Sequence, residues 1–124
     1  MKAKVFAFAA LLLVSSVFAL DAHATVLRVV TVQTDNVEAY VQELGRGQAL
    51  IKKLGGSAII RVWRARFAGP DAGAIVVSLE YPDMTTFAND EKKVTETAEY
   101  QAWLKGLAKV RKVLSDSLYD ELKP

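Results

Sequence analysis

The side chains of this 124-residue chain that could do acid–base or anion-binding chemistry fall into three short stretches. Residues 61–67 read RVWRARF, residues 74–81 read AIVVSLEY, and residues 115–121 read SDSLYDE. Glu80 could act as a base if it were desolvated, because burial raises the pKa of a carboxyl group. Arg61 could stabilise an enolate-like anion, and Tyr119 could donate a hydrogen bond to it. A structural salt bridge between Arg61 and Glu80 is the alternative.

The same three stretches predict the wall of a ligand pocket. Alternation along a strand places Arg61 and Trp63 on one face, and a charge is costly beneath a packed helix, so this face is expected to line a cavity. Small and polar residues on the matching face of residues 74–81 suit a cavity better than a packed core. Hydroxyl groups of the C-terminal stretch could join this interior, or could form hydrogen bonds across a subunit interface. The predicted pocket residues are Arg61, Trp63, Val76, Ser78, Glu80, Ser117 and Tyr119.

Histidine and cysteine, which carry much nucleophilic and metal chemistry, are nearly absent. The chain has no cysteine, and its one histidine, His23, lies in a segment that we expect to be removed. Their absence from the remaining chain excludes Ser-His-Asp and Cys-His catalysis, zinc sites of the usual ligand types and histidine-ligated haem. We therefore expect no metal site and no cofactor.

The N-terminus has the three parts of a secretory signal peptide. Lys2 and Lys4 precede a 16-residue apolar run, and the small-residue sequence Ala-His-Ala ends at Ala24. The run is shorter than the roughly 20 residues of a membrane span, although an uncleaved anchor is the alternative. The sequence thus predicts a signal peptide over residues 1–24 with cleavage after Ala24. A single periplasmic or secreted domain follows over residues 25–124, with no membrane contact after cleavage.

The predicted domain is almost neutral. Without Lys2, Lys4 and Asp21, the 16 basic and 14 acidic side chains of the chain fall to 14 and 13, a net charge of +1. Nucleic-acid binding usually needs a concentrated basic surface, so no nucleic-acid partner is expected. A domain of this size has a modest core, and without disulfides its stability must come from packing within the chain or between chains.

Hydrophobic periodicity and turn residues predict six elements in the order β-α-β-β-α-β. Asp35 resembles the first residue of a capping box for the first helix, and Gly45 and Gly47 predict a kink within it. The second helical region is expected to break near residues 95–97 and to bury Trp103 as core. The predicted strands cover about residues 26–33, 58–67 and 74–81, and the alternating tail makes a fourth, with a helix as its alternative.

This order is that of a ferredoxin-like α+β fold, a four-stranded antiparallel sheet with the helices on one face and the first and third strands in the centre. The first three strands are apolar on both faces, and two helices can cover only one. An uncovered second face would expose more apolar surface than a monomer tolerates. We therefore expect two copies to pair sheet to sheet as a homodimer.

Three segments, RVWRARFAGPDAGAIVVSLEYPDMTTF, EYQAWL and SDSLYDEL, resemble the dimeric α+β barrel superfamily. The resemblance is to its NIPSNAP-like and antibiotic-monooxygenase-like small proteins, and it covers most of residues 25–124. It rests on the order of elements, the strand-turn-strand segment and the short final strand. It implies two subunits that form a barrel, with helices outside and a small organic ligand inside.

Three functions remain open from the sequence. The first is a binding or accessory module that holds a small apolar ligand in the dimer barrel. The second is a cofactor-free enzyme of the monooxygenase or isomerase type that uses Glu80, Arg61 and Tyr119. The third is a structural or stress protein whose barrel is filled with side chains.

Overall fold

The computed structural model describes residues 24–124, so the predicted signal peptide up to His23 lies outside the described residues. Four strands form one sheet, in which every neighbouring pair is antiparallel and the order is β2-β3-β1-β4. The elements are β1 (Val26–Gln33), α1 (Val37–Lys53), β2 (Ile59–Arg64), β3 (Ile75–Tyr81), α2 (Met84–Asp90), α3 (Ala98–Leu107) and β4 (Lys112–Asp120). The predicted ferredoxin-like fold, with β1 and β3 in the centre, is confirmed.

The helices cover one face of the sheet and form the core with it. Alternate residues of β1 and β3 are buried on this face because their neighbours on each strand point the other way. The buried core consists mainly of Val26, Val30, Val32, Ile75, Val77, Leu79 and Tyr81 from the sheet and Tyr40, Leu44, Ile51, Tyr100 and Leu107 from the helices. We call the other side of the sheet the open face, since no helix packs against it in the described residues.

The first helix begins one residue later than the sequence predicts. The Asn36 side chain, and not that of Asp35, accepts the backbone N–H of Ala39 at 3.0 Å. Asn and Asp are equally good caps, so the pattern alone does not separate two adjacent candidates.

The predicted kink in α1 is wrong, because the helix runs unbroken from Val37 to Lys53. Gly47 is buried against α3, and a Cβ built there would lie 2.2 Å from Cζ2 of Trp103. Glycine at this position lets α1 and α3 approach each other, and it does not mark a break.

The loop between β2 and β3 is longer than predicted, and β2 is correspondingly shorter, since it ends at Arg64 and not near residue 67. Pairing of β2 ends near Ala65, whose N–H bonds to the carbonyl of Ala74, so Phe67 stands in the loop and is fully exposed. Gly73 closes the loop with φ of +87°, a left-handed conformation that glycine adopts without steric cost.

The second helical region breaks where the sequence predicts. A wide turn over Glu91–Thr95 follows α2, and α3 restarts behind Thr97, whose side chain accepts the N–H of Tyr100. Asp90 is buried and accepts the backbone N–H of Ser57 at 2.7 Å, although it belongs to an acidic-basic run with a mostly exposed surface.

The C-terminal tail forms β4 along the outer side of β1, so the strand prediction is confirmed. The register shifts once, where Thr31 pairs with Ser115 but Val32 pairs with Val113. Beyond the paired residues, the N–H of Glu121 donates to the carbonyl of Thr25 at 2.8 Å. In the part of the chain described, no helix is long and apolar enough to cross a membrane.

Candidate functional site

All seven residues predicted to line a pocket lie on the open face of the sheet. The register pairs Arg61 with Ser78 and Trp63 with Val76 between β2 and β3. On the other side, β1 separates Glu80 from Tyr119 and Ser78 from Ser117, with Leu27 and Val29 as the intervening residues. The seven residues therefore share the face of the sheet that is turned away from the helices.

Two contacts organise the β2–β3 half of the open face. Arg61 Nε lies 3.5 Å from Glu80 Oε2, and the two side chains are 56% and 39% exposed. The indole N–H of Trp63 donates to Ser78 Oγ at 2.9 Å, and Ser78 is only 7% exposed. Within one copy, the Arg61–Glu80 contact is the salt bridge that the sequence offered as the alternative to a catalytic pair.

Tyr119 does not join Arg61 and Glu80 within one copy. It lies on β4, two strands away from Glu80, and adjacent strands are about 4.8 Å apart, so about 10 Å separates the two backbones. Leu27 lies between them. One copy therefore does not bring the three candidate catalytic groups to one point.

A second candidate site lies on the opposite side of the sheet, between β1, β3 and β4 and the helices. It is a cavity of about 80 Å³, which we call the sheet–helix cavity. Its lining is mostly aliphatic, from both layers of the fold, with a few polar side chains at its edges. The apolar lining residues are Val30, Leu44, Ile60, Val77, Leu79, Leu104, Leu107 and Val113, and the polar or aromatic ones are Arg28, Tyr100, Trp103, Arg111 and Asp116.

Arg28 and Asp116 close one edge of the sheet–helix cavity. Nε of Arg28 donates to Oδ1 of Asp116 at 3.0 Å and Nη2 donates to Oδ2 at 2.7 Å, a two-point ion pair. These hydrogen bonds lower the pKa of the Asp116 carboxyl below its ordinary value. Glu91, at the start of the wide turn, is 3.9 Å from Nη1 of Arg28. A larger open space of about 400 Å³ lies beyond this pair.

Arg111 and Trp103 line other parts of the same cavity. Nη1 of Arg111 donates to the hydroxyl of the fully buried Tyr40 at 3.0 Å, and its guanidinium lies 5.9 Å from the centre of that ring. Nε of Arg111 and Nε1 of Trp103 are both buried and have no hydrogen-bond acceptor among the described residues. Arg111 also lines an open groove of about 840 Å³ at the end of the sheet.

Two tyrosines near the Arg28 edge have perturbed hydroxyl groups. Burial raises the pKa of Tyr81 and of Tyr100, and the proximity of Tyr100 raises that of Tyr81 further. Both hydroxyls therefore stay protonated even above the pH at which an ordinary tyrosine ionises, and they can donate hydrogen bonds. Among residues 24–124, no three His, Cys, Asp or Glu side chains are grouped closely enough to hold a metal ion.

Sequence reasoning missed the polar residues of the sheet–helix cavity. The face and the partner of Arg28 cannot be assigned until the register of β1 is known. The expectation that Trp103 is a core residue did not take account of its indole N–H, which has no acceptor among the described residues. A pair of opposite charges on the strands that join as β1 and β4, Arg28 and Asp116, was the available signal. The signal becomes readable only with the β1–β4 register, which places Asp116 opposite Val30 and diagonal to Arg28.

Comparison with known proteins adds evidence on the fold. No family model matches the chain, and no curated protein matches it either. Three similar solved structures cover 82–83% of this chain. SnoaB from Streptomyces nogalater, a cofactor-independent oxygenase, shares 13% identity with a TM-score of 0.60 over 96% of its own chain.

The other two structures have the same architecture. A NIPSNAP-like domain protein from Burkholderia xenovorans shares 15% identity with a TM-score of 0.61 over 87% of its chain. A candidate antibiotic biosynthesis monooxygenase from Nitrosomonas europaea shares 20% identity with a TM-score of 0.54 over 94% of its chain. The chain has the fold of these proteins. The resemblance to the dimeric α+β barrel superfamily is thus confirmed as a likeness of fold.

Proposed function

We propose that this protein binds a small, mainly apolar organic molecule in the sheet–helix cavity. The observation that carries the proposal is the lining, in which aliphatic side chains from the sheet and the helices meet a few polar groups at the edges. Ligand sites in proteins generally have this composition, because apolar surface supplies affinity and a few polar groups fix orientation.

The size of the cavity limits the buried part of the ligand. An engineered cavity of roughly 150 Å³ accommodates benzene, whereas this one measures about 80 Å³. A ligand of ordinary size must therefore extend past one edge, towards the Arg28–Asp116 pair or towards Arg111. Its apolar part lies inside and its polar part lies at the rim.

Native mass spectrometry of the protein purified from the cells that produce it tests the proposal. We expect a bound mass that is lost in Val113→Phe, because a ring on β4 at the edge of the cavity would occupy the ligand's space. Val41→Phe is the matched control, since Val41 is 42% exposed on α1 and does not line the cavity. A protein that never carries a ligand would instead favour a purely structural role.

The proposal places the protein outside the cytoplasm as a homodimer. The N-terminal sequence pattern supports export. The apolar side chains of the open face support pairing, since Ile59 and Trp63 are 49% and 54% exposed there. A second copy that faced this sheet would bury them and enclose the residues of the predicted barrel pocket. The sheet–helix cavity would stay on the outer side of each sheet, so ligand binding there does not depend on pairing.

A second candidate function is a cofactor-free oxygenase or isomerase, favoured by the likeness in fold to SnoaB. Glu80 would be the base and Arg61 would stabilise the anion, with Tyr119 contributed across the dimer. Oxygen uptake in the presence of the ligand that mass spectrometry identifies tests the oxygenase. It should stop in Glu80→Gln and persist in Glu99→Gln, a carboxylate in an exposed pair with Lys53.

A further inference from the structure

We infer that the ligand of the sheet–helix cavity is a short-chain monocarboxylate, whose carboxylate is held by Arg111 and Trp103. This inference rests on the proposed function and names the chemical class of its ligand. It comes from two side-chain N–H groups that line the same cavity and have no acceptor among residues 24–124.

The indole N–H of Trp103 is the first donor. It is buried, yet no described residue accepts a hydrogen bond from it. The other tryptophan of the chain shows the usual arrangement, because Nε1 of Trp63 donates to Ser78 Oγ at 2.9 Å. A buried donor without a partner is rare and costly in proteins, and a ligand that brings an acceptor removes that cost.

The guanidinium of Arg111 provides the second donor and also the positive charge that would attract an anionic ligand. Its Nε is buried without an acceptor, and no described carboxylate lies within 4.0 Å of it. The other arginine that lines the cavity in the described part of the chain is already paired, since Arg28 donates two hydrogen bonds to the two oxygens of Asp116. Arg111 is therefore the cation of this cavity that is left for a ligand.

The charge and shape of these donors favour a carboxylate over other anions. A carboxylate has two coplanar oxygens, one for Nε of Arg111 and one for the indole N–H of Trp103, the two donors that line this cavity without an acceptor among the described residues. It brings one negative charge to Arg111, whose own charge already acts on Asp116 from beyond 4.0 Å, whereas a doubly charged phosphate would place more negative charge near that carboxylate. The aliphatic lining and the volume of about 80 Å³ then call for a short branched or linear hydrocarbon body.

Titration with isovalerate and with isovaleramide, its neutral isostere, tests the assignment. The readout is the pair of indole N–H signals in ¹⁵N-correlated NMR spectra of the protein produced from its full sequence, assigned with Trp63→Phe. We expect isovalerate to shift the Trp103 signal downfield, as a new hydrogen bond does, and to leave the Trp63 signal in place. We expect isovaleramide to bind at least 10-fold more weakly.

Two variants separate recognition from folding. Arg111→Gln removes the charge and should weaken isovalerate 10- to 100-fold while leaving isovaleramide nearly unchanged. Trp103→Phe keeps a ring but removes the N–H, and should weaken isovalerate with the thermal midpoint monitored as the folding check. Arg46→Gln is the control of equal charge change, because Arg46 is exposed on α1 and pairs only with Glu43 among the described residues.

The outcomes distinguish this inference from the proposed function. If both probes bind equally and both move the Trp103 signal, the cavity binds apolar molecules but the carboxylate assignment is wrong. If isovalerate moves neither indole signal while native mass spectrometry still finds a retained neutral molecule, the carboxylate inference fails alone. If neither probe binds and no ligand is retained, the proposed function fails with it.

Discussion

Arg28 donates two hydrogen bonds to the Asp116 carboxylate across the β1–β4 pair, Nε to Oδ1 at 3.0 Å and Nη2 to Oδ2 at 2.7 Å. This contact ties the edge strand to the centre of the sheet on the side of the helices. It also forms one edge of the sheet–helix cavity. Because Asp116 has a lowered pKa, the contact makes stability depend on pH.

We predict that this ion pair is lost at acidic pH. The folded state holds the pKa of Asp116 below its value in the unfolded chain, so the stabilisation is present above the unfolded pKa and disappears as pH falls through the folded one. Asp116→Asn should lower the free energy of unfolding by about 0.5–1 kcal/mol at pH 7, since both side chains are partly exposed and screened. Urea unfolding of variant and parent should converge at low pH.

The control for this prediction is Asp120→Asn, on the same strand but without an ion pair in the described residues. A difference between Asp116→Asn and the parent that stays constant from pH 7 to pH 2 would contradict the assignment.

Gly47→Ala is predicted to destabilise the protein, against the usual preference for alanine in a helix. Alanine stabilises an exposed helical position by about 1 kcal/mol relative to glycine. At position 47, however, the added Cβ would lie 2.2 Å from the Trp103 ring, and overpacking of this kind costs about 1–3 kcal/mol. Gly45→Ala, two residues earlier with nothing within 4 Å, should be neutral or stabilising. Chemical denaturation of both variants measures the change in the free energy of unfolding, which should be a decrease for Gly47→Ala and zero or an increase for Gly45→Ala.

Val29→Lys is predicted to separate the proposed dimer. Val29 lies near the middle of the open face, and burial of one valine side chain contributes about 1.5–3 kcal/mol. A two-fold interface loses this contribution twice and gains two charges, so its dissociation constant should rise by about 100-fold or more. Light scattering over a dilution series measures it. Val41→Lys, the same change on an exposed position of α1, should leave the oligomer intact, and a parent protein that is monomeric at micromolar concentration would overturn the pairing.

Stability is predicted to fall at alkaline pH because of the buried tyrosines. Desolvation raises the pKa of Tyr81 and Tyr100 in the folded state, so above pH 10 the unfolded chain releases protons that the folded chain retains. The stabilisation is complete below that pH and is lost as pH rises. Tyr81→Phe should flatten the loss above pH 10, measured by urea unfolding, whereas Tyr119→Phe, in an exposed side chain, serves as the control. Equal slopes in parent and Tyr81→Phe would show that another group causes the loss.

The strands and their faces follow from the sequence because alternation is a local property. Arg61 and Trp63 share a face at any register of the sheet, since a period of two sends alternate residues of one strand to opposite sides. Glu80 joins that face in the observed register, in which it pairs with Ile59. The tail was also readable, because serines and aspartates between β-forming residues favour a strand over a helix end.

The sheet–helix cavity was not predictable in the same way, because its contacts join residues far apart in the chain. Gly47 reads as a helix breaker until the ring of Trp103, on another helix, occupies the space above it. Arg28 and Asp116 meet only once the β1–β4 register is set, because it places Asp116 opposite Val30, two residues along the strand from Arg28. Neither propensity nor periodicity carries information about such partners.

The hydrogen bond from the Glu121 N–H to the Thr25 carbonyl, at 2.8 Å, brings the first and last parts of the described domain side by side. The fold therefore does not require the domain to begin with β1 and end with β4. A circular permutant that joins these ends through a few glycines and opens the loop at residues 68–72 should rebuild the same sheet. In that molecule β4 would be followed directly by β1, so the edge strand would become half of a hairpin.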